Sequence, residues 1–378
     1  MKNIQRALGA LLGATLLLVS GMAQSDWQLN LTEGVTEISR EVYGMHMMVL
    51  WICVAIGVVV FGAMFYSILV HRKSKGATPA TFHESVIAEI SWTIVPFVIL
   101  IAMAIPAAKA LIKMEDTSNA DMTIKITGYQ WKWQYEYMED GVSFFSSLDA
   151  ASRDAAAVDS GIDVASVDNY LLDVDKPLVL PVGKKIRFLL TSNDVIHAWW
   201  IPEFAIKKDA IPGYINEMWT NIDEEGVYRG QCAELCGKDH GYMPIVVEAV
   251  SEEAYQTWVT EQVAAADAEA NSADKEWDLA ALMEKGEEVY GKACLACHQA
   301  NGQGIPGVFP ALAGSPMALN DMDAHIDIVV NGKPGTAMTA FGPQLSDVEI
   351  AAVVTYERNA WGNDTGEVVQ PAAIKASR

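Results

Sequence analysis

The sequence predicts a multidomain membrane protein in which a two-helix transmembrane hairpin is followed by an all-β domain and then an all-α domain. Three observations carry this reading. Two apolar runs, at residues 43–70 and 90–108, flank the densest short basic cluster of the chain, His71-Arg72-Lys73-Ser74-Lys75. Beyond residue 113 the pattern turns to short runs rich in β-branched and aromatic residues, and beyond residue 278 it turns to helical periodicity. With 378 residues, 51% hydrophobic and 20% charged, the chain is too apolar to be disordered and long enough for several cores. Its 26 Lys+Arg against 48 Asp+Glu give a formal charge of -22, which repels a phosphate backbone and excludes nucleic acid as a partner. A positively faced protein is attracted instead.

Residues 1–23 read as a secretory signal peptide: Lys2 and Arg6 precede an apolar stretch, and Gly21-Met22-Ala23 supplies small residues for cleavage after Ala23. Residues 24–42 then form a short segment outside the cytoplasm. Residues 43–70 contain no Asp, Glu, Lys or Arg and are long enough to cross about 30 Å of hydrocarbon as a helix. The second span, residues 90–108, is closed by Lys109 and contains Pro96 and Pro106, which predict a bend. Together they make a hairpin over residues 43–113. The positive-inside rule puts its basic loop, residues 71–89, in the cytoplasm, so both flanks face outward. Strands are expected at residues 122–126, 130–137, 178–180, 185–190, 217–221 and 245–250, forming a sandwich or barrel over residues 114–250. Residues 146–161, rich in Ala, Ser and Asp, read as an exposed excursion. Residues 251–278 are Ala/Glu/Asp-rich and read as a linker or solvated helix. The last domain, residues 279–365, opens with a helix over 279–293. It closes with Ser346-Asp347-Val348-Glu349, a capping box ahead of Ile350, Val353 and Val354. Residues 366–378 read as a tail.

The 5 Cys fall as one isolated residue, Cys53, and two close pairs, a spacing that asks for metals or thioethers rather than a disulfide scaffold. Cys53 reads as a packing residue of the first span. Cys294-Leu295-Ala296-Cys297-His298 is the C-x-x-C-H pattern of covalent c-type haem attachment, with His298 placed as proximal ligand. A redox dithiol or zinc pair is the competing reading, but no second ligand pair lies nearby. A thioether as sixth ligand raises the potential of an electron-transfer haem. Among Met317, Met322 and Met338, the last sits in a small-residue loop, Gly335-Thr336-Ala337-Met338-Thr339-Ala340-Phe341, that permits close approach to the ring. The segment from 279 to 361 resembles a class I cytochrome c domain. That resemblance implies that Pro310, in Phe309-Pro310-Ala311-Leu312, offers its carbonyl to the proximal His. Thr339 departs from the Pro usual after the methionine ligand.

The second pair sits in Cys232-Ala233-Glu234-Leu235-Cys236-Gly237-Lys238-Asp239-His240-Gly241-Tyr242-Met243, with His197 upstream in Asn193-Asp194-Val195-Ile196-His197. Soft sulfur with imidazole selects copper, and two thiolates can bridge two metals so that both share one electron. Tetrahedral zinc on Cys232, Cys236, His240 and His197 is the alternative, but it leaves Met243 without a use. These residues look like the binuclear copper A centre of cytochrome c oxidase subunit II, and the likeness spans most of residues 43–250. It extends to Gln130-Trp131-Lys132-Trp133-Gln134-Tyr135-Glu136-Tyr137 and to Asp209-Ala210-Ile211-Pro212-Gly213. The resemblance implies a cupredoxin-like Greek-key barrel for the β domain. It implies copper A (2 Cu) held by the side chains of His197, Cys232, Cys236, His240 and Met243 and by the Glu234 carbonyl. The Glu234 carboxylate is then free for Mg2+ at the subunit I boundary. Trp131 matches the tryptophan at which electrons enter, and Glu89 the acid at the cytoplasmic mouth of a proton channel.

With both centres on one anchored chain, the resemblance implies the electron-input subunit of a proton-pumping caa3-type oxidase in a bacterial inner membrane, its copper and haem domains on the periplasmic side. Electrons from cytochrome c or a quinol-cytochrome c reductase would pass through haem c and copper A to haem a of subunit I, where O2 becomes water, with subunit III as a further partner. The rivals are a copper A subunit of a nitric-oxide or nitrous-oxide reductase and, from another class, a copper-delivery module. His46, His71, His83 and His325 have no partner spacing and read as interfacial or surface residues.

Overall fold

The structure is a computed structural model that describes residues 30–79, 81, 83–157 and 160–378. The expected signal peptide and the first part of the segment at 24–42 lie outside the described residues. The chain divides into two compact units.

The first unit holds the two long helices α1 (Glu37–Val70) and α2 (Val86–Glu115), with residues Pro202–Ala205. A capping box starts α1: the Thr36 hydroxyl accepts from the Ser39 amide at 2.9 Å, and the Ser39 hydroxyl accepts from the Thr36 amide at 3.0 Å. Both helices run beyond the charge-free stretches, because the polar residues at that end pair with one another. Lys113 Nζ lies 2.5 Å from Glu37 Oε1 and 2.6 Å from Glu41 Oε1. Pro96 and Pro106 lie inside α2, which continues through both. Large apolar side chains such as Phe61, Leu69, Ile87 and Leu100 are exposed along the pair. A surface of this kind is stable under lipid or against the apolar helices of a partner. Among the described residues two helices are long and apolar enough to cross a membrane, which fits a two-pass membrane protein.

The second unit begins with two five-stranded sheets packed as a sandwich. The strands are β1 (Met122–Tyr129), β2 (Lys132–Tyr137), β3 (Ser143–Ser146), β4 (Leu178–Pro181), β5 (Ile186–Ser192), β6 (His197–Ile201), β7 (Ile206–Ala210), β8 (Asn216–Thr220), β9 (Gly226–Cys232) and β10 (Pro244–Val250). One sheet has the order β3-β2-β1-β5-β8 and the other β4-β10-β9-β6-β7. The β1–β5 and β4–β10 pairs are parallel and the rest antiparallel. Alternation decides the inner face. On β2, Trp133, Tyr135 and Tyr137 are buried while Lys132, Gln134 and Glu136 face outward, and Glu136 pairs across the ladder with Lys125 at 2.7 Å. The region expected as an exposed excursion is partly packed. It contains helix α3 (Ala150–Ala156), with Ser146, Leu148, Ser152 and Ala155 buried.

Helix α4 (Glu252–Ser272) follows β10. Its first turns are fastened to the sandwich: Tyr255 is buried and donates from its hydroxyl to Asp140 Oδ2 at 2.5 Å, and the Trp258 ring centroid lies 5.1 Å from that of Tyr137. The last domain has six helices among the described residues: α5 (Leu279–Ala293), α6 (Leu295–His298), α7 (Pro316–Asn320), α8 (Met322–Asn331), α9 (Asp347–Asn359) and α10 (Pro371–Ser377). The predicted capping box is present at the start of α9. Helices α5 and α9 cross closely at Gly286, where a Cβ would sit 2.2 Å from the Ala352 carbonyl oxygen. Val289, Ile326, Val330, Ile350 and Val354 fill the core between α5, α8 and α9. The C-terminal residues expected as a tail pack back on this core through Val369 and Ile374.

Candidate functional site

The sandwich assembles the copper-type ligands from strand ends. His197 opens β6, Cys232 ends β9, and the loop that follows carries Cys236, His240 and Met243 before β10 begins. The sheet fixes the first two, since β6 and β9 are neighbours with Trp199 opposite Cys232. The loop is closed on itself by the Cys232 amide, which donates to the Met243 carbonyl at 3.0 Å. The Cys232 and Cys236 sulfurs lie 3.8 Å apart. His197 Nδ1 is 3.9 Å from Cys232 Sγ, and His240 Nδ1 is 3.5 Å from Cys236 Sγ. The donor atoms of His197, Cys232 and Cys236 lie within 4.8 Å of one another, and all three residues are buried. Cys232 Sγ is also 3.3 Å from the Glu234 carbonyl oxygen, while the Glu234 side chain is exposed. Met243 is buried at the loop's end. Gly128 makes room for the first imidazole: a Cβ there would meet the His197 ring at 2.8 Å.

Two residues that sequence reasoning did not single out hold this geometry. Asp194 Oδ1 accepts from His197 Nε2 at 2.9 Å, which turns Nδ1 toward the sulfur, and Asp194 itself accepts from the Val195 and Gln130 amides at 2.6 and 2.7 Å. Burial raises the Asp194 carboxyl, but these bonds outweigh it and hold the group below its ordinary value. Burial likewise lowers His197, and its bonds to Asp194 and Cys232 leave it raised. The hydrogen bond from Cys236 holds the Cys232 thiol down, and sharing that proton pushes Cys236 up. A site with one thiolate already favoured, imidazole nitrogens turned inward and water excluded fits a soft cation. The second residue is Gln130. The Cys236 carbonyl accepts from Gln130 Nε2 at 2.8 Å and from Trp131 Nε1 at 3.2 Å, so the half-buried Trp131 lies against the cysteine loop. The only sequence signal for either residue was its nearness to a ligand or to Trp131.

In the helical domain α6 carries the cysteine pair and ends at His298, which is buried. His298 Nδ1 donates to the Pro310 carbonyl at 2.9 Å, leaving Nε2 for a metal. Burial pushes both the Cys294 and Cys297 thiols up, and neither is in a disulfide. This donor set fits covalent haem. Met338 packs half-buried against the domain core, with its carbonyl accepting from the Lys333 amide at 2.9 Å. Met322 also packs there, while Met317 is 44% exposed. Glu89 lies in the first turn of α2 and is exposed. One reading is corrected: His325 is not a surface residue. It is buried, with Nε2 2.8 Å from the equally buried Glu357, on the inward faces of α8 and α9.

Comparison with known proteins agrees with this architecture. The transmembrane domain of cytochrome c oxidase subunit II matches residues 24–110, and its periplasmic domain matches residues 122–250. Subunit III of the cbb3-type cytochrome c oxidase matches residues 281–356. The probable cytochrome c oxidase subunit 2 of Rickettsia bellii is 35% identical over 259 residues, 68% of this chain and 92% of that one. Cytochrome c oxidase subunit 2 of Cereibacter sphaeroides is 37% identical over 59% of this chain and 76% of its own. The solved periplasmic domain of subunit II of the Bradyrhizobium japonicum cytochrome oxidase is 39% identical, covering 39% of this chain and 96% of that chain, with a TM-score of 0.34. The chain therefore belongs to the cytochrome c oxidase subunit II family, here continued by a C-terminal cytochrome c domain.

Proposed function

We propose that this chain is the subunit at which electrons enter a proton-pumping oxidase, taking them from an external donor through haem c and binuclear copper A to haem a of subunit I, where O2 is reduced to water. Family membership gives the chain an electron-transfer role in the cytochrome c oxidase complex and an association with subunit I. The observation that carries the finer reading is the buried convergence of His197, Cys232 and Cys236, with His240 on the second sulfur, on the same chain as Cys294-x-x-Cys297-His298. When bound, copper A and haem c supply one-electron carriers that change geometry little on reduction.

The residues of the chain hold and shield these groups. His197, Cys232, Cys236, His240 and Met243, with the Glu234 carbonyl, are the copper ligands of this reading. Asp194 fixes the His197 ring, and Gln130 fixes the loop through the Cys236 carbonyl. Trp131 lies against that loop and serves as the point of electron entry. The exposed Glu234 carboxylate would be free to hold Mg2+ at the boundary with subunit I. His298, oriented by Pro310, and Met338 would hold the haem iron, and Cys294 and Cys297 would attach the haem covalently. Glu89 takes up protons at the cytoplasmic mouth of α2. The setting is a bacterial inner membrane with both redox domains on the periplasmic side, the donor being cytochrome c or a quinol-cytochrome c reductase, and subunit III a further partner. Purification of the membrane complex with metal analysis and optical spectroscopy tests this: two copper atoms and one covalent haem per chain, with haem a in the complex, are expected. A single zinc per chain, or haem b with nitric-oxide consumption, contradicts it.

A further inference from the structure

The two cysteine motifs of this chain meet. Lys238 lies in the copper loop between Cys236 and His240, and its ammonium donates to the Ala296 carbonyl, inside the Cys294–Cys297 turn, at 3.1 Å. On β2, beside Trp131, Lys132 turns its ammonium toward two rings. Phe145 on β3 is 4.7 Å from the nitrogen and Phe341 of the cytochrome domain is 5.6 Å from it. Phe341 follows Met338 by three positions and packs against the cytochrome core. Among the described residues Lys132 makes no ion pair, although burial pushes its ammonium down to about 8. A half-buried cation keeps its charge where something replaces the water it has lost, and here two aromatic faces from two domains do so.

The connection between the domains points the same way. Helix α4 is fastened to the sandwich by Tyr255 and Trp258. At its other end Glu269 Oε1 accepts from the Ser346 hydroxyl at 2.7 Å. Just beyond, Trp277 is held through its backbone: its amide donates to Gln370 Oε1 at 3.0 Å, and its carbonyl accepts from Gln370 Nε2 at 2.8 Å. A segment anchored at both ends acts as a strut rather than a free tether.

We propose that Lys132 and Lys238 form a clasp that seats the cytochrome domain on the copper domain, with the haem-attachment turn against the copper loop, so that the chain carries its own electron donor in a fixed position. The functional purpose of the clasp rests on the relay reading above; the contact itself does not. A seated donor passes one electron from reduced haem c to oxidised copper A without a diffusional search, whereas a tethered but mobile one must first find its docking face.

The test uses the purified membrane complex with the full chain, carrying Lys132→Met and Lys238→Met singly and together, and Lys132→Arg. Amide hydrogen exchange is followed over residues 294–298 and 338–345, together with flash-initiated electron transfer from haem c to copper A. Loading is checked from the haem and near-infrared copper bands. In the double variant, exchange over both segments speeds up by roughly tenfold or more, and electron transfer slows by a similar factor and becomes sensitive to viscosity. Lys132→Arg, which keeps a cation over the rings, stays near wild type. Unchanged exchange and transfer in a fully loaded double variant overturns the clasp. Should Lys132→Met lose the copper band, Lys238→Met and Lys132→Arg decide it: wild-type behaviour in the first, or loss of seating in the second, overturns it. If the wild-type segments are protected but no electron reaches copper A from haem c, the relay reading fails and the clasp stands.

Discussion

The copper loop and the haem-attachment turn are both short motifs that pair two cysteines with a histidine, yet the chain supports them by different means. In the copper loop the ligands start from strand ends. His197 and Cys232 sit on neighbouring strands, and the loop between Cys232 and Met243 is tied by backbone and by the side chains of Gln130 and Trp131. In the cytochrome domain, His298 takes its orientation from the Pro310 carbonyl, within an irregular stretch, and Met338 lies in another irregular stretch between α8 and α9. The sandwich has a continuous core without its metal. The helical domain has a core of its own between α5, α8 and α9, and the haem-type side chains Met338 and Cys294 pack against its edge. Strand ends present one set of ligands and a short helix with irregular stretches presents the other.

The sharpest way to break this comparison is to remove each group in turn. Replacing Cys294 and Cys297 together by Ser abolishes covalent haem. The account expects residues 294–340 to become more susceptible to limited proteolysis while the near-infrared copper band persists, since Cys294 and Met338 sit at the edge of the helical core and the copper ligands sit on another domain. Stripping copper with a chelator gives the opposite result: the ligand side chains remain placed by the sheets, and the far-ultraviolet circular dichroism of the copper domain stays unchanged at room temperature. A loss of β signal on chelation would remove the distinction. A smaller effect is expected at Asp194. Asp194→Ala releases the His197 ring and weakens copper binding by roughly 10- to 100-fold in a chelator competition, leaving the fold intact. The smallest effect is expected at the edge of the sandwich, where Tyr255→Phe removes the hydroxyl bond to Asp140 and lowers thermal stability by about 1 kcal/mol. A much larger loss would mean that helix α4 belongs to the sandwich core.

The parts of the molecule that were legible in its sequence are those whose chemistry lies in residue type and spacing. Charge-free runs marked the helical hairpin, and the aromatic-rich run at residues 130–137 marked a strand, which the structure starts at Lys132. Strands β3, β6, β7 and β9 were not anticipated. In β7, Ile206-Lys207-Lys208-Asp209-Ala210, and in β9, Gly226–Cys232, polar residues hide the pattern, and their strand character comes from the ladders they form with the neighbouring strands β6 and β10. Asp194 and Gln130 escaped notice because an ordinary polar residue acquires a role only through what folding brings beside it. His325 escaped for the same reason: its partner Glu357 is 32 positions away on another helix. Lys132 and Lys238 read as ordinary surface lysines until folding brings Phe341 and the Ala296 carbonyl of the helical domain within their reach.

The central claim is that the paired sulfurs of this chain hold two coppers sharing one electron. Electron paramagnetic resonance of the oxidised, purified complex tests it most directly. The account predicts hyperfine splitting from two equivalent copper nuclei, lost when Cys232 or Cys236 is replaced by Ser. Splitting from a single copper nucleus, or a silent site that analyses as zinc, would contradict it.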